Sequence, residues 1–216
     1  MTHAGTARTP AEAVARTFVV AGVRVAHLAY TRKTNTVLPN EPWRLDYVTN
    51  PQQVAADVAA VRAAGAEIVI VSIHIGRELL NAPAPDDRAF IEAMTAAAPI
   101  DLVIEHGPHV IQPVETVNGA IVYWSVGNLL SGMGLPNATR YGPPTLDGLL
   151  AWVTFRETSP GRFAAEPHTV LVCNEQFGRV IYPAVTAVGR ASLGSDLRAQ
   201  LEACIGRARA IIPNIE

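Results

Sequence analysis

Two short runs constrain this chain more than any other feature: EIVIVS at residues 67–72 and IDLVI at 100–104. Runs this apolar and rich in β-branched residues, without polar alternation, are the mark of strands covered on both faces. Each follows a helical pattern. In residues 51–65, Val54, Val58 and Val61 recur at helical spacing among alanines, and Gly65 supplies a stop. Residues 85–98 read as a second helix, with Asp86 and Asp87 at its positive end. Helix, buried strand, helix, buried strand is the order expected of a parallel α/β sheet.

The flanking segments extend this reading. Residues 17–31 (TFVVAGVRVAHLAYT) predict a hairpin turning at Ala21-Gly22, and AIVYWSV at 120–126 predicts another strand before a glycine-containing loop. Beyond Gly142 the expectation becomes antiparallel: strands at 149–155 and 169–173 flank the turn residues Ser159-Pro160-Gly161, and an amphipathic helix closes residues 195–211. No long flexible linker interrupts the 216 residues, so residues 1–216 are read as one mixed α/β domain.

Composition narrows the function classes. With 49% hydrophobic and 17% charged residues, disorder is excluded. The 17 basic against 19 acidic residues give a formal charge of −2 with no basic cluster, which argues against a nucleic-acid or anionic-membrane binder. Apolar stretches fall well short of the ~18 residues needed to span a bilayer, and no charged n-region followed by an apolar h-region opens the chain. The sequence as it stands reads as soluble. Cys173 and Cys204 fit no metal or redox spacing and are expected to be two small buried apolar side chains.

Histidines carry the chemistry. His74 lies in SIHIGRE, directly after the first buried strand, and His106 and His109 lie in EHGPH, directly after the second. Ligand sites of open α/β sheets form at the carboxyl ends of strands. If the two strands are neighbours, three neutral imidazoles converge there, a donor set suited to zinc, manganese or iron. Gly107 permits an unusual turn and Pro108 stiffens it. Glu78, four residues after His74, is either a ligand-orienting or acid–base group or an exposed carboxylate. Asn128, in SVGNLLSG, is either a metal or substrate ligand or turn chemistry. His3, His27 and His168 are read as structural. There is no G-x-S-x-G elbow, no phosphate loop and no dinucleotide fingerprint, and neither cysteine has a histidine nearby.

The ordered series IVIVSIHIGRE, DLVIEHGPHVIQPVE and GAIVYWSVGNLLSG resembles the bacterial capsule-synthesis CapA family, linked to poly-γ-glutamate, whose motifs read S-x-H-W-G-x-E, G-H-x-P-H-V-x-Q and Y-S-L-G-N-F. The hairpin at 19–30 and GTARTPAEA near the start resemble the stretch that precedes these motifs. The resemblance implies a metallophosphoesterase-like sandwich with a mixed sheet, truncated at the amino terminus. It implies metal-dependent hydrolysis of a phosphoester or amide bond in a polymer or small-molecule substrate, with a divalent metal (manganese, iron or zinc). His74, His106 and His109 fall on metal-ligand positions, and Glu78 and Asn128 on motif positions of less defined role.

The departures shape the expectation. The family's G-D strand, N-L-E segment and N-N-H-x-x-D stretch do not occur here. Ile75 stands for the usual Trp, and Glu105 for the Gly before His106, where its carboxylate is a candidate substitute ligand or base. The expectations are therefore an enzyme with an incomplete site, a non-catalytic binding or assembly module that keeps the fold, or a mononuclear zinc hydrolase using Glu78 or Glu105 as base. A truncated sheet would expose an edge and favour a homo-oligomer or a partner that completes it. An envelope location would follow if an amino-terminal anchor precedes the chain.

Overall fold

The structure, a computed structural model, describes residues 3–15, 17–133, 141–175 and 180–215. β1 (Thr17–Val20) and β2 (Val23–Thr31) form the expected hairpin. Its turn holds Ala21 at φ +49° and Gly22 at φ +84°, the doubly left-handed geometry whose twist matches that of the strands it joins. In α1 (Pro51–Ala63) the Asn50 side chain accepts the Gln52 N–H at 2.9 Å, and Pro51 occupies the first turn, where its missing N–H costs nothing. β3 (Ile68–His74), α2 (Pro85–Ala97) and β4 (Leu102–His106) then follow in the order the sequence predicts.

Two strands lie outside the sequence expectations, one at Val114–Val117 and the other at Ile181–Pro183. β5 (Val114–Val117) pairs antiparallel with β6 (Ala120–Tyr123) through Asn118 (φ +49°) and Gly119 (φ +88°), a second turn of the same type. The sheet order is β1-β2-β3-β4-β6-β5, with β2, β3, β4 and β6 parallel and an antiparallel strand at each edge.

Alternation along these strands decides what each face does. Val69, Val71 and Ile73 of β3 and Val103 of β4 pack with Val54 and Val58 of α1 and Phe90, Ile91 and Met94 of α2. The opposite face presents Ile70, Leu102, Ile104, Ile121 and Tyr123 to Val153, Phe155 and Ala165. These last three belong to a ribbon of β7 (Asp147–Ser159) and β8 (Arg162–Asn174), longer than the sequence predicts, and β8 also pairs β9 (Ile181–Pro183). The Tyr123 hydroxyl reaches the carbonyls of Trp152 (3.1 Å) and His168 (3.0 Å), fixing the ribbon across the sheet. α3 (Ala184–Val188) and α4 (Ser195–Arg209) close a further core around Leu149, Leu171, Leu201 and Ile205. The chain thus adopts the mixed α/β class expected.

The cysteines require a correction. Cys173 of β8 and Cys204 of α4 are buried, as expected, but they are joined in a disulfide rather than packed independently. Beside them Asp147, almost fully buried, accepts from Nε and Nη2 of Arg207, each at 2.7 Å.

Candidate functional site

β3 and β4 are neighbours, and their last residues, His74 and His106, are direct register partners. Both fall in phase with Ile70, Ile104 and Leu102, so they stand on the sheet face turned away from the helices. Both are exposed at the strand ends. His106 is held below the ordinary imidazole pKa, first by desolvation and second by repulsion from His74, which keeps its ring neutral and able to donate a lone pair.

The loops beyond the strands are clasped to each other. The Ile75 N–H donates to His106 O (2.7 Å), Leu79 N–H to Pro108 O (2.8 Å), and the buried Gln112 amide to Leu80 O (2.8 Å). Gly107 sits at φ +134°, where a Cβ would lie 2.2 Å from the Ile75 carbonyl oxygen, so only glycine permits this approach. His109 itself takes φ +62°, a strained conformation for a residue with a side chain.

Two of the imidazoles have their orientation set by protein acceptors. His74 Nδ1 lies 3.2 Å from Lys33 O and 3.1 Å from Thr31 Oγ1, whose own proton goes to Lys33 O. A carbonyl oxygen only accepts, so this contact assigns the proton to Nδ1 and leaves the lone pair on Nε2. His109 Nδ1 lies 2.9 Å from Asn128 Oδ1, while Asn128 Nδ2 donates to His109 O (3.1 Å) and Thr145 O (3.0 Å). The same reasoning assigns His109 a free Nε2 and gives Asn128 the place of a group that orients a histidine.

Thr31 and Lys33, absent from the sequence reading, belong to this site. The Lys33 ammonium also donates to Gly76 O. No local motif marks them. Only the pairing of β2 with β3, which makes Thr31 and His74 register partners, brings them there.

The three histidines do not close into one tight donor group. Among the described residues, the only set of three or more His, Cys, Asp or Glu ligand atoms within 4.8 Å of one another is Asp147, Cys173 and Cys204, engaged by the disulfide and Arg207. Glu78 is exposed in the loop before Leu79 (φ +66°). Glu105 does not join the histidines either. It is in phase with Val103, on the helix side of the sheet, fully buried, with neither carboxylate oxygen hydrogen-bonded. Burial, reinforced by Asp87 and partly offset by Lys33, pushes its pKa up to about 8, so it is protonated at neutral pH. The other histidines have protein partners: His3 with Thr6 O, His27 with Ser72 Oγ, and His168 with Thr154 Oγ1.

Comparison with known proteins gives the site a context. The family model described as bacterial capsule synthesis protein PGA_cap matches residues 1–133. The PGA biosynthesis protein CapA of Bacillus subtilis (strain 168) is 30% identical over 158 residues, covering 68% of this chain and 37% of that protein. The capsule biosynthesis protein CapA of Bacillus anthracis is 31% identical over 121 residues, covering 53% of this chain and 29% of that protein. The chain thus spans about a third of the length of these relatives. Among solved structures, the sulfate thiohydrolase SoxB of Thermus thermophilus aligns with a TM-score of 0.48 at 13% identity, over 91% of this chain and 28% of its own. A hypothetical protein from the same organism aligns with a TM-score of 0.44 at 13% identity, over 73% of this chain and 61% of its own. The matched residues contain both histidine motifs and the strands that carry them, and the chain belongs to the bacterial capsule synthesis PGA_cap family.

Proposed function

We propose that this chain carries the histidine-bearing strand ends of a CapA-like protein of capsule or poly-γ-glutamate synthesis, and that these hold a divalent metal for hydrolysis of a phosphoester or amide bond. The observation that carries this reading is the pairing of His74 with His106 at adjacent parallel strand ends on one face. The donor chemistry fits manganese, iron or zinc, because His74 and His109 each turn Nδ1 inward to an oxygen and leave Nε2 available. A bound cation would polarise the scissile group and lower the pKa of water. This chain's own residues set its ring orientations: Thr31 and Lys33 for His74, Asn128 for His109. A carboxylate-bridged two-metal centre is not supported by the described residues, since no carboxylate closes a group with these histidines.

A second reading is favoured by that same lack of a carboxylate. Glu105 is buried on the helix side of the sheet, Glu78 is exposed, and no carboxylate among the described residues closes a group of three ligand atoms with His74 and His106. A binding or assembly module would keep the fold and the histidines without hydrolysis. Assays of the metal-loaded chain on phosphodiester and γ-glutamyl substrates separate the two. Turnover lost in both His74→Ala and His106→Ala supports the hydrolase, and metal binding without turnover supports the module.

A further inference from the structure

The geometry points to a two-fold dimer of this chain, built by antiparallel pairing of β7 with β7 of a second copy about Thr154. β7 is the outer strand of its sheet. Among the described residues its outer edge meets only an isolated bridge near its start, Gly127 with Gly148. Beyond that bridge the strand runs on to Ser159, far longer than the four-residue edge strand β1.

Edge strands that stay unpaired are usually guarded by charge, proline or bulges. From Gly148 to Phe155 this one reads GLLAWVTF, without a charge or a proline, and its register irregularity lies further out, between Glu157 and Ser159. On the face turned from the six-stranded sheet, Leu150 is 47% exposed and Trp152 51%. The Trp152 ring stacks on His168 of β8 with centroids 5.1 Å apart and planes within 13°. With one indole face against β8, the other is turned past the sheet edge.

A second copy fits this edge because the strand is complementary to itself. A two-fold at Thr154 sets Trp152 opposite the partner's Arg156, and Val153 opposite the partner's Phe155. The guanidinium would then lie against the open indole face, twice per dimer. Arg156 is available for this: its present contact, Glu166 at 3.9 Å, joins two largely exposed side chains and is worth little. Val153 and Phe155 already face the six-stranded sheet, so pairing would extend that apolar layer. The product is a continuous six-stranded sheet, β9-β8-β7 joined to its symmetry mate.

The register makes the test specific. A Thr154→Cys variant places two thiols at the axis, within the Cα separation a disulfide requires. In a Leu150→Cys variant the two positions are eight residues apart along the paired strands, about 27 Å. Sedimentation velocity of the whole chain should show a dimer that Trp152→Glu converts to monomer with an unchanged far-UV circular dichroism spectrum. Mild oxidation should cross-link Thr154→Cys and not Leu150→Cys. A monomer at high micromolar concentration, a dimer indifferent to Trp152→Glu, or equal cross-linking at both positions would overturn the proposal.

Discussion

Glu105 and His106 are consecutive in the chain, yet their side chains stand on opposite faces of one sheet. The imidazole emerges at the strand end beside His74, while the carboxyl is sealed among the helices near Asp87, without a hydrogen bond. A single peptide step therefore separates a group available for chemistry from one that weighs on stability.

That burial has a pH signature. A carboxyl whose pKa is raised to about 8 in the folded chain against about 4.3 unfolded keeps its proton only when folded. Stability from this group is therefore present below the unfolded value and lost as pH rises through about 8. Between pH 6.5 and 8.5, above the range in which ordinary carboxyls titrate, chemical denaturation should show falling stability. Glu105→Gln should flatten that slope and be the more stable form at pH 8.5; an unchanged slope would show that the carboxyl is not protonated in the fold.

Asn128 acts on His109 by accepting its Nδ1 proton at 2.9 Å. Replacing it with Ala removes the acceptor, and nitrogen NMR should report His109 shifting from the Nδ1–H toward the Nε2–H tautomer. Losing such an outer partner commonly costs about 10–100-fold in metal affinity, so metal binding should weaken by that order while the fold persists. A tautomer unaltered in Asn128→Ala would remove the orienting role.

Two glycines separate crowding from conformation. Gly107→Ala must push the Ile75 carbonyl away from a 2.2 Å approach at φ +134°, whereas at Gly22 (φ +84°) a methyl meets nothing within 4 Å. Gly107→Ala should cost about 3 kcal/mol or more, and Gly22→Ala about 1 kcal/mol. Thermal melts of the two variants give the comparison, and similar losses would contradict the close packing of the 75 and 107 loops.

The disulfide joins residues 31 apart. Reduction, or the double replacement of Cys173 and Cys204 by Ala, should lower stability by about 2–4 kcal/mol. Equilibrium unfolding with and without a dithiol reductant measures it. The loss should centre on α4 and the ribbon, which hydrogen exchange would show as weakened protection there before the six-stranded sheet.

Local signals make most of the elements legible. Helix periodicity around Val54 and Val58, the runs at 67–72 and 100–104, and the Ala21-Gly22 turn each correspond to an observed element. β5 is absent from the expectations although Asn118-Gly119 between two β-prone runs marks a hairpin. The face of Glu105 is also readable from the two-residue period of LVIEH. Other features depend on distant partners. The Cys173–Cys204 bond and the contacts of Lys33 with His74 and Gly76 require strand order and docking that no short window contains.

The central claim is that His74 and His106 together hold a metal. Elemental analysis and calorimetric titration with manganese, iron and zinc, on the whole chain and on its His74→Ala and His106→Ala variants, test it most directly. The expected result is binding of at least one of these ions by the parent chain and its loss in both variants, with circular dichroism unchanged. Metal content that is zero in the parent chain, or that survives both substitutions, would contradict it.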